Sequence, residues 1–224
     1  MTTLAHDRES TRRALGAGFY GLADLRLFLA ISGKRQDAER ALPWLTRALN
    51  PVSHRPKSAD YSFSDLISLF VVRELRKKGV RASDIRTAES YLRKKWKTDR
   101  PFVSDEIQTD GRRVFVEDEV ISGQIESADL EGQQVMREMV KDRLSSVHYN
   151  EGAAAYWTPM QKVLVDPRVQ FGEPVIAGTR IPTGAVADIA RRGGLEGAAD
   201  QLGVDLSAAR AAISFENKLA ALRG

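Results

Sequence analysis

The sequence predicts a mainly α-helical fold with small β elements: an N-terminal winged helix-turn-helix unit, then a C-terminal module of a small β-sheet and three helices forming a helix-turn-helix. Three observations lead there. Apolar residues recur at helical spacing through both halves of the chain. Asp110-Gly111, a pair that favours a tight hairpin turn, separates two runs of strand character. Residues 166–182 gather glycines and prolines into a short path that reads as a strand, a compact loop and the start of a helix.

The elements follow in order. Residues 1–18 are polar and charged and are expected to be flexible. Leu22, Leu25, Leu27, Phe28 and Ile31 then predict a helix ended by Ser32-Gly33. A second helix is expected from about Gln36 to Leu49, with Ala38, Ala41, Leu42 and Leu45 inward and Arg35, Arg40 and Arg47 toward solvent. Two short helices joined by a Gly-containing turn form the helix-turn-helix pattern. Pro43 lacks the amide that an interior helical bond needs, so the second helix starts near it or kinks there. After a polar loop from Asn50 to Asp60, Ser62 with Asp65 three residues on predicts a capping box, and Phe63, Leu66, Ile67, Phe70, Val71 and Leu75 a core-facing stripe. Gly79 ends that helix. Ser83 is expected to cap the next, whose buried face is Ile85, Ala88, Tyr91, Leu92 and Trp96. Phe102–Ile107 and Arg113–Val116 read as the two strands of a wing.

The C-terminal half begins after an amphipathic helix from Ser122 to Val147 that bridges the domains or pairs with its copy. Val147–Asn150, Ala154–Thr158 and Val163–Val165 read as short strands. Thr183 is expected to cap a helix broken at Gly193-Gly194, with Leu195–Leu202 a short second helix and Ser207–Leu222 a third. The alanines of these helices favour close helix contact. The organisation expected is therefore residues 1–18 flexible, 19–121 winged helix-turn-helix, 122–146 linker helix and 147–224 the C-terminal module, a chain of 224 residues being long enough for two cores.

Bulk chemistry narrows the function. With 42% apolar and 29% charged residues the composition is that of a soluble globular protein. Zero Cys excludes disulfides, thiolate metal sites and a cysteine nucleophile. No run approaches a membrane helix and the start is not a signal peptide, so a cytoplasmic protein is expected. His6, His54 and His148 lie in three separate regions, and no metal spacing, nucleophile elbow or phosphate-loop lysine motif is present. No enzyme, cofactor or metal site is therefore expected. Charge is segregated instead: residues 73–100 hold eleven Lys/Arg against four Asp/Glu, and residues 101–131 hold two against nine, which gives a basic face suited to phosphates beside an acidic stretch.

Asp166-Pro167-x-Val169, then Gly172-x-Pro174-x-Ile176-x-Gly178-Thr179-Arg180-Ile181-Pro182, closely resembles the C-terminal module of a large family of small bacterial antitoxins over about residues 160–222. Tyr20-x-x-x-Asp24-Leu25, Tyr61–Leu66, the helix from Val80 to Leu92 and Thr109–Val116 look like the MerR-like winged domain of its longer, VapB-type members, although Gly33–Gln36 and Pro43-Trp44 depart from the usual reading-helix pattern. The resemblance implies a dimeric antitoxin that binds operator DNA and silences a PIN-like ribonuclease toxin encoded by the adjacent gene. For DNA the candidates are Lys34, Arg35, Arg40 and Arg47 around the second helix and Arg112 and Arg113 on the wing, with Arg86, Arg93, Lys94, Lys95 and Lys97 either extending the phosphate track or forming a solvated face. Trp44 is expected in the core rather than on a base. For the toxin, or for closing the loop, they are Asp166, Gly178, Thr179, Arg180, Arg191, Arg192 and Arg210. Arg180 either pairs with Asp166 or Glu173 or points outward toward the metal-holding carboxylates of the toxin. The rival reading is a free-standing MerR-like transcriptional regulator whose C-terminal part senses a ligand or protein.

Overall fold

A computed structural model describes residues 18–44, 61–77, 81–104 and 146–223. These form a mainly helical protein with a small four-stranded antiparallel sheet. The expected wing strand Arg113–Val116, the linker helix and residues 1–17 lie outside the described residues, as do Arg47, Arg112 and Arg113.

Strand β1 (Gly18–Tyr20) pairs antiparallel with β2 (Tyr61–Ser62) and so brings the starts of two helices together. Helix α1 (Leu22–Ile31) opens on Gly21, whose N–H donates to the Asp24 carboxylate at 2.9 Å. It stops at Ser32, and α2 (Arg35–Ala41) follows after a three-residue turn. Helix α2 breaks at its cap Leu42 and helical residues resume at Pro43-Trp44, the interruption expected at Pro43, while residues 45–49 of the expected second helix lie outside the described residues.

Helix α3 (Phe63–Lys77) begins with the expected box. The Asp65 carboxylate accepts from Ser62 N–H at 2.8 Å, and Asp65 N–H donates back to Ser62 Oγ at 3.1 Å. Every residue from Phe63 to Leu75 is buried, so this helix is the axis of the N-terminal unit rather than a one-sided surface helix. Helix α4 (Ala82–Trp96) buries Ile85, Ala88 and Leu92 as its spacing predicts, but its cap position is Arg81, not Ser83. Of the strand expected over Phe102–Ile107, Phe102 and Val103 instead form a 3-10 turn with Pro101, which fixes φ at the first helical position, and turn into the core; Ser104 makes an antiparallel bridge to Ala153, and residues 105–107 lie outside the described residues.

The sheet has the order β3 (Val147–Asn150), β4 (Ala153–Met160), β5 (Val163–Val165) and β6 (Val175–Ile176). Trp157 on β4 faces Val147 on one side and Val165 on the other, and it is 1% exposed. Its ring meets Phe28 of α1 edge-on at 6.3 Å and Phe70 of α3 at 6.0 Å. One apolar cluster therefore runs from Tyr20 through α1 and α3 into the sheet and on to Phe215 and Leu219.

Helix α5 (Thr183–Leu202) carries a break at Gly194, with φ 76°, and Gly203 ends it in the left-handed region. Helix α6 (Leu206–Arg223) lies against it through the buried Ala198, Ala199, Ala208, Ala209 and Ala212, where small side chains let the two backbones approach. Asp205 opens α6 by accepting Ala208 N–H at 2.9 Å, and the Ser207 hydroxyl, with that amide and Lys162, holds its carboxyl down at about 2. Thr183 is not the cap of α5: Pro182 holds that position, and the Thr183 hydroxyl donates to Glu216 on α6 at 2.5 Å.

Candidate functional site

The loop from Asp166 to Pro182 is built almost entirely from bonds to itself. Asp166 is buried, and its carboxylate accepts Arg168 N–H at 2.8 Å and the Arg168 guanidinium at 2.7 and 2.9 Å. That hydrogen-bonded pairing pushes the Arg168 guanidinium above its ordinary pKa. Ile176 to Thr179 form a tight turn closed by Thr179 N–H on Ile176 O at 3.0 Å, and Gly178, at φ 80°, supplies the left-handed backbone this turn needs. Thr179 Oγ1 donates to Ile176 O at 2.9 Å and accepts Ile181 N–H at 3.0 Å, which locks the residue on either side of Arg180.

Arg180 departs from one of its two expectations. Asp166 is occupied by Arg168, and the Arg180 side chain forms no ion pair with Asp166, Glu173 or any other described residue. It is exposed, while its carbonyl accepts Gln170 Nε2–H at 3.0 Å. A cation whose backbone is fixed and whose head group is solvated can meet an external carboxylate or phosphate at little ordering cost.

Arg191 and Arg192 sit on the last turn of α5 before its break, and Arg210 sits on α6; all three are exposed, Arg191 pairing with Asp188. On the N-terminal unit Lys34 and Arg35 open α2 and Arg40 lies on its last turn, all exposed, with Arg40 only 3.8 Å from Asp37. Trp44 is buried, as its position in a short helix suggested, and the Arg86 guanidinium of α4 lies 5.9 Å from its ring centre. That contact joins the residues just after α2 to the basic helix α4, whose Lys94 and Lys95 and cap residue Lys97 are exposed and whose Arg93 is tied to Glu89 at 2.9 Å.

Tyr20 was not legible as a site residue. Its hydroxyl donates to Gly172 O at 3.1 Å across 152 residues of sequence, and burial, with the Asp166 and Asp24 carboxylates nearby, raises the phenol far above its ordinary pKa. It remains a donor at any working pH. A Cβ on Gly172 would fall 2.2 Å from that hydroxyl, and φ there is 85°, so two constraints fix glycine. The only local signal is that Tyr20 and Asp24 stand in the motif at the start of α1.

Comparison with known proteins covers the same segment. Residues 163–215 match the model of a family described as a protein of unknown function, DUF433. No curated protein matches the chain. Among solved structures, Rv2018 from Mycobacterium tuberculosis is similar in fold, with a TM-score of 0.71 and 22% identity over 89% of this chain and 99% of that one.

Proposed function

We propose that this protein is a non-catalytic antitoxin. In this reading it silences a PIN-like ribonuclease encoded by the adjacent gene through direct contact with the C-terminal module, and as a homodimer it represses its own operon through the N-terminal helices. The observation that carries the first half is Arg180, exposed at the centre of a loop in which Asp166, Thr179 and Gln170 are all committed to holding the backbone. A ribonuclease that holds its cation with carboxylates offers the complementary charge, and a guanidinium entering that cluster displaces the metal or blocks the RNA.

The second half is supported by the short turn between α1 and α2 and by Lys34, Arg35 and Arg40 exposed around α2. These suit phosphate contacts on either side of a groove. The continuous cluster from α1 through Trp157 to α6 also suits the second reading, a transcriptional regulator whose C-terminal part relays a signal, because any event at the C-terminal module reaches α1 through packed side chains.

Co-expression with the product of the adjacent reading frame separates the two. Under the antitoxin reading the proteins co-purify and the complex lacks ribonuclease activity. A chain that binds its promoter alone, and leaves that activity intact, belongs to the regulator.

A further inference from the structure

Helix α4 carries an unbalanced charge that neither half of the reading above uses. From Ile85 to Lys97 the sequence holds five Lys/Arg against one carboxylate, Glu89, and that carboxylate is buried and paired with Arg93 at 2.9 Å. Arg86, Lys94, Lys95 and Lys97 are exposed, and they form no ion pair among the described residues. Several surface cations elsewhere are answered in place, Arg26 by Glu39 at 2.8 Å and Lys162 by Asp205 at 3.1 Å, so the excess on α4 is not the general state of this surface.

Orientation sorts the four cations. At about 100° per residue, Arg86, Ser90 and Lys94 fall within about 80° of one another, on a stripe opposite the buried Ile85, Ala88 and Leu92. Lys95 lies about 180° from Arg86, and its ammonium sits 5.5 Å from the centre of the Tyr91 ring, off the stripe. The Arg86 guanidinium lies 5.9 Å from the centre of the Trp44 ring, which makes the stripe continuous with the residues that follow α2. Two ordinary causes of such charge leave it unexplained. Cations in a last turn complement the helix dipole, which covers Lys94 and Lys95, but Arg86 sits in the second turn, beyond that effect. Pairing along the helix covers Arg93 alone.

We propose that α4 is a phosphate-contact surface for duplex DNA, lying along the sugar-phosphate backbone beside the groove that α2 enters, with Arg86 and Lys94 on phosphates, the Ser90 hydroxyl donating between them and Lys97 reaching on past the helix end. Charge and length decide the occupant: from Arg86 to Lys97 the helix runs about 16 Å, and a duplex presents one negative charge per about 1.7 Å of its axis, so phosphates face the stripe throughout. The proposal deepens the operator half of the reading above and rests on it. Lys95 is the internal control, because it has the same charge on the same turn and faces elsewhere.

The test uses the full-length chain and fluorescence anisotropy of two labelled duplexes of equal length and composition, one from the region upstream of the gene and one scrambled, each titrated at several salt concentrations. Arg86→Gln with Lys94→Gln is expected to reduce the slope of log K against log salt by about 1.8 on both duplexes, two phosphates at about 0.9 each, and Lys95→Gln to leave it unchanged. Lys94→Gln with Lys97→Gln gives the same reduction while keeping the Arg86 contact with Trp44, and unchanged circular dichroism confirms that each variant folds. A native slope in both double variants overturns the proposal. So does a reduction by Lys95→Gln equal to that of Lys94→Gln alone, which marks diffuse charge rather than a face, and so does tighter binding of a duplex RNA of the same length. The two readings fail separately: absence of any preference for the upstream duplex removes the operator reading, while the slopes on the scrambled duplex still score α4.

Discussion

Replacing Arg73 by methionine is the most informative perturbation of the fold, because this guanidinium is buried in the middle of α3 and holds the turn between α1 and α2. Arg73 and Glu74 are each 1% exposed, and their side chains meet at 2.5 and 2.9 Å. A further guanidinium nitrogen donates to Leu29 O and to Ser32 Oγ, the last turn and the cap of α1, and the group lies 4.4 Å from the centre of the Phe70 ring. Arg73→Met leaves Glu74 as a buried carboxylate without this partner and strips a donor from Leu29 O. Breaking a buried pair from one side costs about 3–5 kcal/mol. Against a total of about 5–15 kcal/mol for a domain, the variant should be close to unfolding. Arg73→Met with Glu74→Leu removes both charges, so most of that loss should be recovered. Urea denaturation followed by tryptophan fluorescence measures both. A loss below about 1 kcal/mol for the single variant, the value of an exposed pair, or a double variant no more stable than the single, refutes the reasoning.

Other consequences are equally direct. Gly172→Ala places a methyl against the Tyr20 hydroxyl and on left-handed backbone, so it should lower stability by about 2–4 kcal/mol, and Tyr20→Phe in the same chain should restore part of it; an unchanged thermal midpoint contradicts the geometry. Burial raises the Asp65 pKa, but Arg100 at 2.5 Å and the Ser62 donors outweigh it and hold the group below its ordinary value. The stability this contributes is full above the unfolded carboxyl pKa of about 4 and is lost as pH falls through the lower folded value. Asp65→Asn should flatten that acid limb, which a pH series of thermal melts reads. Arg35→Ala with Arg40→Ala should weaken operator binding, and each lost phosphate contact should reduce the slope of log K against log salt by about 0.9. An unaltered slope removes α2 from the interface.

What the sequence discloses is mostly local. Ser62 and Asp65 lie three residues apart, so their reciprocal bonds are readable before any fold is known. Gly194 and Gly203 announce the breaks around α5, and the alanines of α5 and α6 announce close contact. Distant constraints stay hidden. Arg73 and Glu74 look like residues of a solvated basic run, yet they are buried because α1, α2, α4, the 3-10 turn and β1 all pack against α3, with Phe70 meeting Trp157 of the sheet. Pro101 puts the first two residues of an expected strand, Phe102 and Val103, into a 3-10 turn that buries them in the core, and strand pairing begins only at Ser104. Arg180 was readable as either closing the loop on Asp166 or Glu173 or pointing outward, and Arg168, two residues from Asp166, is what occupies that carboxylate. Nothing local joins Tyr20 to Gly172.

The central claim is that this protein acts by occupying a ribonuclease, with Arg180 as the inserted cation. It is tested most directly by titrating the chain into the adjacent gene's product while cleavage of a fluorogenic RNA is recorded. The account predicts complete loss of cleavage near equimolar ratio, and a loss of affinity of about tenfold or more when Arg180→Glu is titrated instead. Undiminished cleavage at saturating native chain contradicts it.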